Sequence, residues 1–244
     1  MPGDVTGEFG RDGVYRVPGC HAHTIVGCHE YHLVSGVETT SGPLGQGVAT
    51  SVGMAVAEKW LANRYNRPGF DIFDYNIYAV CGDGCMMEGV SSEAASIAGH
   101  LELDNLCWIY DNNHITIEGH TDITFTEDIA ARFMGYGWNV LRVGDANDID
   151  RIEHALKVFR QTKGRPTFII LDSSIGYGSP NRQGTAAAHG EPLGVEEIRL
   201  TKRVYGWPDD ERRRFLVGLG LALTVAFVVV RGLNVYGDPQ PWAV

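Results

Sequence analysis

The chain has 244 residues, 44% of them hydrophobic and 20% charged, a composition typical of a globular protein with one large domain or two small ones. Its formal net charge of −10 gives no support for nucleic-acid binding. Five cysteines without the spacing of a disulfide framework favour free thiols and a cytoplasmic location, and the first 14 residues lack the features of a secretory signal.

The N-terminal segment, 1–26, is predicted to be irregular, because its glycines and prolines follow neither helical nor strand periodicity. Cysteines and histidines are dense between residues 20 and 32. Their spacing matches neither of the paired C-x₂-C patterns of structural zinc sites, so the density alone does not predict a zinc centre.

A glycine-rich turn at 38–47 leads into the first predicted helix, which continues at helical spacing from Val48 to about Tyr65 and ends before Pro68-Gly69. Glycines at such a turn allow the backbone to approach a ligand closely. An ordinary core helix with a glycine-rich start is the alternative interpretation.

Two apolar segments, 76–81 and 106–110, are predicted to be neighbouring buried strands, joined by a helix at 88–99. The first strand leads into Gly82-Asp83-Gly84 and the second into Asp111-Asn112-Asn113, with 27 residues, 85–111, between Gly84 and Asn112. Because parallel strands present their carboxyl ends at one edge of a sheet, a carboxylate and a carboxamide are expected side by side there.

Oxygen donors in this arrangement suit a magnesium ion that is bound to a diphosphate. Asp83, the Asn113 side chain and a main-chain carbonyl near Ile115 would supply three oxygens and leave positions for phosphate oxygens and a water. Taken alone, the Gly-Asp-Gly tripeptide would be interpreted as a surface turn. The order strand, Gly-Asp-Gly, helix, strand, Asn-Asn is far more specific.

Beyond residue 117, helices are predicted at 127–136 and 149–162 and strands at 138–143 and 167–171. Such alternation indicates βαβ units. The predicted fold is α/β, a doubly wound and mostly parallel sheet with helices on both faces. The last strand leads into a third loop at the carboxyl edge, 172–180, which is followed by Ala188-His189-Gly190.

The tail, 211–244, departs from this alternation. Arg212-Arg213-Arg214 precede sixteen uncharged, largely apolar residues. With its flanking residues this segment, 215–233, is predicted to be an apolar helix near the lower length limit for a membrane span, with the basic residues on the cytoplasmic side. A buried helix and a sequence joined from another reading frame or gene are the alternatives.

The Gly-Asp-Gly and Asn-Asn pair at this separation is the motif of thiamine diphosphate enzymes, and residues 81–94 and 42–47 resemble transketolase in particular. The resemblance covers 27–210. It implies the thiamine diphosphate-binding fold, thiamine diphosphate with Mg²⁺ or Ca²⁺ as cofactors, and transfer of a two-carbon ketol group between sugar phosphates. A thiamine-dependent synthase acting on pyruvate is the main alternative.

The resemblance also implies roles for individual residues. Cofactor binding is implied for Gly42, Pro43, Leu44, Gly82, Asp83, Gly84, Asn113, Ile115, Ile175 and Gly176, and metal binding for Asp83, Asn113 and the Ile115 carbonyl. His189 is implied in proton transfer or oxyanion stabilisation, and Glu88 and Glu93 match acidic residues at the family's dimer interface. Alignment places Cys28 at a family histidine, so His29 is the candidate to replace it if the loop rearranges.

The family's activating glutamate lies in a pyrimidine-binding domain, which we expect to be missing from these residues. The chain is therefore expected to be truncated at both ends relative to the family and inactive alone. Three hypotheses remain: a transketolase chain completed by a separate pyrimidine-domain subunit or as a homo-oligomer, an inactive remnant that binds cofactor, and a module tethered to a membrane through 215–233.

Overall fold

The computed structural model describes residues 37–190 and 192–207, together with the backbone of three short strands elsewhere. The strands are β1 (Glu8–Phe9), β2 (Tyr15–Arg16), β3 (Thr39–Thr40), β4 (Tyr75–Gly82), β5 (Leu106–Asn112), β6 (Ile115–Thr116), β7 (Gly119–His120), β8 (Asn139–Val143), β9 (Thr167–Asp172) and β10 (Phe227–Gly232). The helices are α1 (Gln46–Tyr65), α2 (Asp83–Met87), α3 (Gly89–His100), α4 (Ile129–Gly135), α5 (Ile149–Gln161) and α6 (Val195–Val204).

The central feature is a six-stranded sheet with the order β3-β10-β4-β5-β9-β8. Its four strands β4, β5, β9 and β8 are parallel, with Ile77 opposite Leu106 and Trp108 opposite Phe168. The strands β3 and β10 pair antiparallel at the other side of the sheet. The predicted α/β class and the mostly parallel sheet are therefore confirmed.

Alternate side chains of the strands enter two cores, one on each face of the sheet. On one face, α1, α3 and α4 pack against residues such as Trp108 and Phe168, and the Phe133 ring of α4 stacks on Phe168 with ring centroids 3.7 Å apart. On the other face, Phe159 of α5 packs against Tyr78 with centroids 5.3 Å apart. Helices thus cover both faces of the sheet, as predicted.

Every helix and strand predicted between residues 48 and 171 forms, with ends that differ by a few residues. The main addition is α2, a five-residue helix that begins at Asp83. It ends at Glu88, whose backbone is extended, and α3 follows directly. The Gly-Asp-Gly motif is therefore a transition from strand to helix and not a surface turn.

The prediction of an apolar helix at 215–233 is wrong where the structure describes it. Residues Phe227–Gly232 form β10, which pairs along the whole of its length with β4. The reason lies in the consecutive valines at 228–230, because β-branched side chains favour extended backbone. No helix in the described ranges has the length and hydropathy to cross a membrane. Residues 215–226 lie outside the described part.

Within the segment 1–26, β1 and β2 form a short antiparallel pair, with Glu8 opposite Arg16. The other residues of that segment lie outside the described part, so its irregularity remains a prediction. Among the cysteines, Cys81, Cys85 and Cys107 are buried free thiols, as expected for a chain without a disulfide framework.

Candidate functional site

Asp83 lies at the carboxyl end of β4 and begins α2, with only 3% of its surface exposed. Its Oδ1 accepts a hydrogen bond from the Tyr110 hydroxyl at 2.6 Å, and its Oδ2 accepts one from the His114 backbone N–H at 3.0 Å. His114 has a φ of 61°, a left-handed conformation that non-glycine residues rarely adopt. Strained backbone of this kind is concentrated at functional sites.

Asn113 lies beside Asp83 in the loop that follows β5. Its Oδ1 accepts a hydrogen bond from the Ile115 N–H at 2.9 Å, and its Nδ2 donates to Asp111 Oδ2 at 2.8 Å. The Asp83 carboxylate and the Asn113 carboxamide are therefore held on the backbone amides of two consecutive residues. The predicted pair of oxygen donors comes together in a single turn.

The two glycine-rich segments of the sequence are in contact. A Cβ atom on Gly84 would lie 3.1 Å from the Leu44 side chain, so Leu44 packs directly on this glycine. Gly45 has a φ of 77°, and a Cβ there would lie 2.9 Å from the Cβ of Glu88. Gly42 and Pro43 are exposed at the start of the same turn, so a ligand could reach their backbone.

The loop after β9 is folded back on itself. Ile175 is buried, and its carbonyl accepts a hydrogen bond from the Gly184 N–H at 2.8 Å. Gly176 has a φ of 64°, and a Cβ on it would lie 2.9 Å from the Ala188 Cβ. This close approach brings His189 next to the Ile175-Gly176 segment. The structure thus joins three residues that are 13 or more positions apart in the sequence only through the loop's fold.

His189 has 9% of its surface exposed, and its Nδ1 is buried without a hydrogen-bond partner in the described residues. Burial lowers the pKa of this imidazole below its ordinary value. A buried polar atom without a partner costs free energy, and such atoms often await a ligand. The orphaned nitrogen therefore fits a residue that meets a bound group.

A cavity of about 310 Å³ lies beside Asp83 at the carboxyl edge of the sheet. It is lined by Asp83, Tyr110, Asn112, His114, Thr121, Asp122, Phe125, Thr126, Glu127, Asp128, Ile129, Ala130, Arg142 and Ile170. Ligands of open α/β sheets bind at this edge. The cavity gives a small cation a polar, acid-rich approach to the Asp83 carboxylate.

The electrostatics of the site also fit a divalent cation. Burial raises the pKa of Asp83 above its ordinary value, although the Tyr110 hydrogen bond opposes this shift. Burial raises the pKa of the nearby Asp111 to about 6. In the described part of the chain, neither carboxylate takes part in an ion pair. Each oxygen of Asp83 and of Asn113 retains a lone pair beyond its hydrogen bond, and hard oxygen donors are those that Mg²⁺ prefers.

Sequence reasoning missed several polar residues around the site. Tyr110, Asp111 and Ser173 contact the predicted donors or one another, and Asp172 pairs with Arg142 and Asn112. One available indication was that Asp111 directly precedes the Asn-Asn pair at the end of a buried strand. The contacts across strands had no local indication.

The remaining predicted site residues are not brought into this arrangement. His29 lies outside the described residues, so its role stays a prediction. Glu88 and Glu93 lie at the start of α3 with exposed side chains, which leaves their assignment to a dimer interface untested. Gly82 is buried at the end of β4, opposite Asp111 of β5.

Replacing His189 by glutamine should reduce the loss of stability at mildly acidic pH. Since burial lowers the folded-state pKa, the unfolded chain binds a proton near pH 6.5 that the folded chain resists. The contribution of His189 to stability is therefore complete above this pH and is lost as the pH falls towards the folded-state value. Urea unfolding at pH 7.5 and 5.5 should give a smaller difference for His189→Gln than for the unmodified chain. Equal differences for the two proteins would contradict the prediction.

Comparison with known proteins agrees with this geometry. The model of the transketolase thiamine diphosphate-binding domain matches residues 15–223. The transketolase of Geobacillus stearothermophilus is 53% identical over 178 residues, which are 73% of this chain and 27% of that protein.

Two solved structures extend the likeness to the fold. The transketolase of Leishmania mexicana matches with a TM-score of 0.70 and 45% identity, over 75% of this chain and 27% of that chain. A transketolase of Pichia stipitis in complex with sedoheptulose-7-phosphate matches with a TM-score of 0.68 and 45% identity, over 70% of this chain and 25% of that one. The chain spans about a quarter of the length of these relatives. With the model matched over most of its residues, the chain belongs to the transketolase family, in its thiamine diphosphate-binding domain.

Proposed function

We propose that this chain binds thiamine diphosphate through a Mg²⁺ ion, with Ca²⁺ as a substitute, and serves two-carbon ketol transfer between sugar phosphates. The observation that carries the proposal is the turn at 113–115, where the Asp83 carboxylate and the Asn113 carboxamide oxygen sit on consecutive backbone amides. A diphosphate bound to a magnesium ion needs oxygen donors in such an arrangement.

Each residue of the site has a part in this proposal. Asp83, Asn113 and the Ile115 carbonyl would hold the metal. Leu44 and Gly84 bring the two glycine-rich segments into contact, so backbone of both segments is open to a diphosphate without obstruction from side chains. Bound thiamine diphosphate supplies the electron sink for breaking and forming the carbon–carbon bond.

His189 would act on the substrate side. Its low exposure excludes most water, and its lowered pKa keeps the imidazole neutral near pH 7, so that it can either donate or accept a proton. The orphaned Nδ1 is the atom that we assign to a group of the cofactor or the substrate. A sugar phosphate is the proposed substrate class, in keeping with the sedoheptulose-7-phosphate bound to the Pichia stipitis relative.

We further propose that ketol transfer requires a pyrimidine-binding domain in addition to these 244 residues, from a second subunit or a second copy of a longer chain. The basis is the share of the relatives' length that the chain spans, about a quarter. An inactive cofactor-binding remnant is the alternative, and the same experiment separates the two.

The test is a calorimetric titration of the full chain with thiamine diphosphate, with and without Mg²⁺. We expect binding that depends on the metal, because the diphosphate and the protein share it. Addition of a separately produced pyrimidine-binding domain from a relative should then give ketol transfer from a ketose phosphate to an aldose phosphate. Binding without transfer would favour the remnant, and no binding at millimolar cofactor would overturn the proposed function.

A further inference from the structure

A second buried carboxylate lies next to the proposed metal ligands and has no part in the function proposed above. Asp111, near the end of β5, has 1% of its surface exposed. Its Oδ2 accepts a hydrogen bond from Asn113 Nδ2 at 2.8 Å, and its Oδ1 accepts one from the Ser173 hydroxyl. Ser173 belongs to the loop after β9, so the contact joins two loops of the site.

The chemistry of a carboxylate restricts how the Asn113 side chain can be oriented. A carboxylate only accepts hydrogen bonds, whereas a carboxamide has one face that donates and one that accepts. The NH₂ group of Asn113 must therefore face Asp111. Its Oδ1 then faces the turn, where it accepts from Ile115 and retains a lone pair. The reversed orientation would turn N–H groups towards a cation and leave Asp111 facing an oxygen.

We propose that Asp111 is a positioning residue, which fixes the carboxamide of Asn113 with its oxygen towards the metal position, and that Ser173 holds Asp111 in place. This inference rests on the proposed metal and cofactor binding. Groups that orient metal ligands in this way typically change metal affinity by about 10- to 100-fold when they are replaced.

The neighbouring asparagine offers a matched control. Asn112 Nδ2 donates to Asp172 Oδ1 at 2.7 Å, so each residue of the Asn-Asn pair donates to an aspartate. Asp172 also accepts from Arg142, with Nε to Oδ2 at 2.7 Å and Nη2 to Oδ1 at 2.9 Å. Its contacts therefore join β5, β8 and β9, but none of them reaches Asn113.

The first experiment compares Asp111→Asn, Ser173→Ala and Asp172→Asn in the full chain, at pH 8 with thiamine diphosphate and increasing Mg²⁺. Asp111→Asn keeps the shape of the side chain but can present an N–H to either partner. We expect it to raise the Mg²⁺ concentration needed for half-maximal cofactor binding by about 10- to 100-fold, and Ser173→Ala to raise it less. Asp172→Asn should lower the melting temperature but leave that concentration within about threefold of the unmodified chain. A similar value for Asp111→Asn would overturn the inference.

A second measurement tests the orientation without any cofactor. In ¹⁵N-labelled chain, the Asn113 side-chain amide protons should exchange slowly with solvent, because one is bonded to a buried carboxylate. This protection should be lost in Asp111→Asn and kept in Asp172→Asn. Rapid exchange in the unmodified chain would overturn the inference even where the cofactor binds. Failure of the unmodified chain to bind cofactor would instead count against the proposed function, and protection would still decide the orientation.

Discussion

Asp83→Asn should abolish metal-dependent binding of thiamine diphosphate while leaving the empty protein at least as stable as before. The carboxamide keeps the shape of the side chain and an oxygen that accepts from the Tyr110 hydroxyl, which is 2.6 Å from Asp83 Oδ1. It removes the negative charge that would neutralise the metal. Since loss of a residue behind a ligand already costs about 10- to 100-fold, loss of the charged ligand itself should cost at least about 100-fold in cofactor affinity.

The effect on stability should have the opposite sign. Burial raises the folded-state pKa of Asp83, so the charged form is disfavoured in the folded protein at neutral pH. A group of this kind costs stability as the pH rises from the unfolded-state value through the folded-state value. Without metal at pH 7, Asp83→Asn should therefore melt at the same temperature as the unmodified chain or higher.

Calorimetry with Mg²⁺ and thermal melting without it give the two measurements. Asp150→Asn is the matched control, because it makes the same chemical change at an exposed position in the first turn of α5. It should bind cofactor as the unmodified chain does. If Asp83→Asn bound the cofactor with nearly normal affinity, the metal would have to be held elsewhere and the proposed site would be wrong.

The successful sequence predictions are those that rest on local patterns. The strand before Gly82 and the strand before Asn112 were both evident from apolar runs that end in glycine or in asparagine. Parallel pairing then requires their ends to meet, and the structure pairs Gly82 with Asp111 in register. The position of Asp83 beside Asn113 thus followed from two local patterns and one rule of sheet geometry.

The contacts that hold the two asparagines could not be predicted in the same way. Ser173 is 62 residues from Asp111, and Arg142 is 30 residues from Asp172. Serine and arginine occur in many loops and strands, so neither residue type indicates its partner. Only the order of β5, β9 and β8 in the folded sheet brings these side chains together.

The tail failed for a different reason. A long apolar segment without charges is compatible with a helix or with a buried strand, and hydropathy alone does not separate them. The valines at 228–230 favour a strand, and the antiparallel pairing of β10 with β4 provides it with hydrogen bonds. The wrong prediction came from giving the length of the segment more weight than its β-branched residues.

Gly99→Ala should be one of the most destabilising single substitutions in this domain, although it lies in a helix. Alanine normally favours a helix by roughly 0.5–1 kcal/mol over glycine. A Cβ on Gly99, however, would lie 1.8 Å from the backbone carbonyl oxygen of Tyr136, a distance that atoms cannot adopt. The strand that follows is fixed at this place, because Trp138 Nε1 donates to the Ala95 carbonyl of α3 at 2.8 Å.

Gly53→Ala in α1 is the control, since a Cβ there would meet no atom within 4 Å. We expect this variant to gain roughly 0.5–1 kcal/mol from helix propensity, and Gly99→Ala to lose about 3 kcal/mol or more through overpacking. Urea unfolding of the two variants measures the difference. Similar stabilities would mean that α3 can move away from the Tyr136 carbonyl. Because α3 follows directly from the segment that begins at Asp83, such freedom would also weaken the case for a rigid metal site.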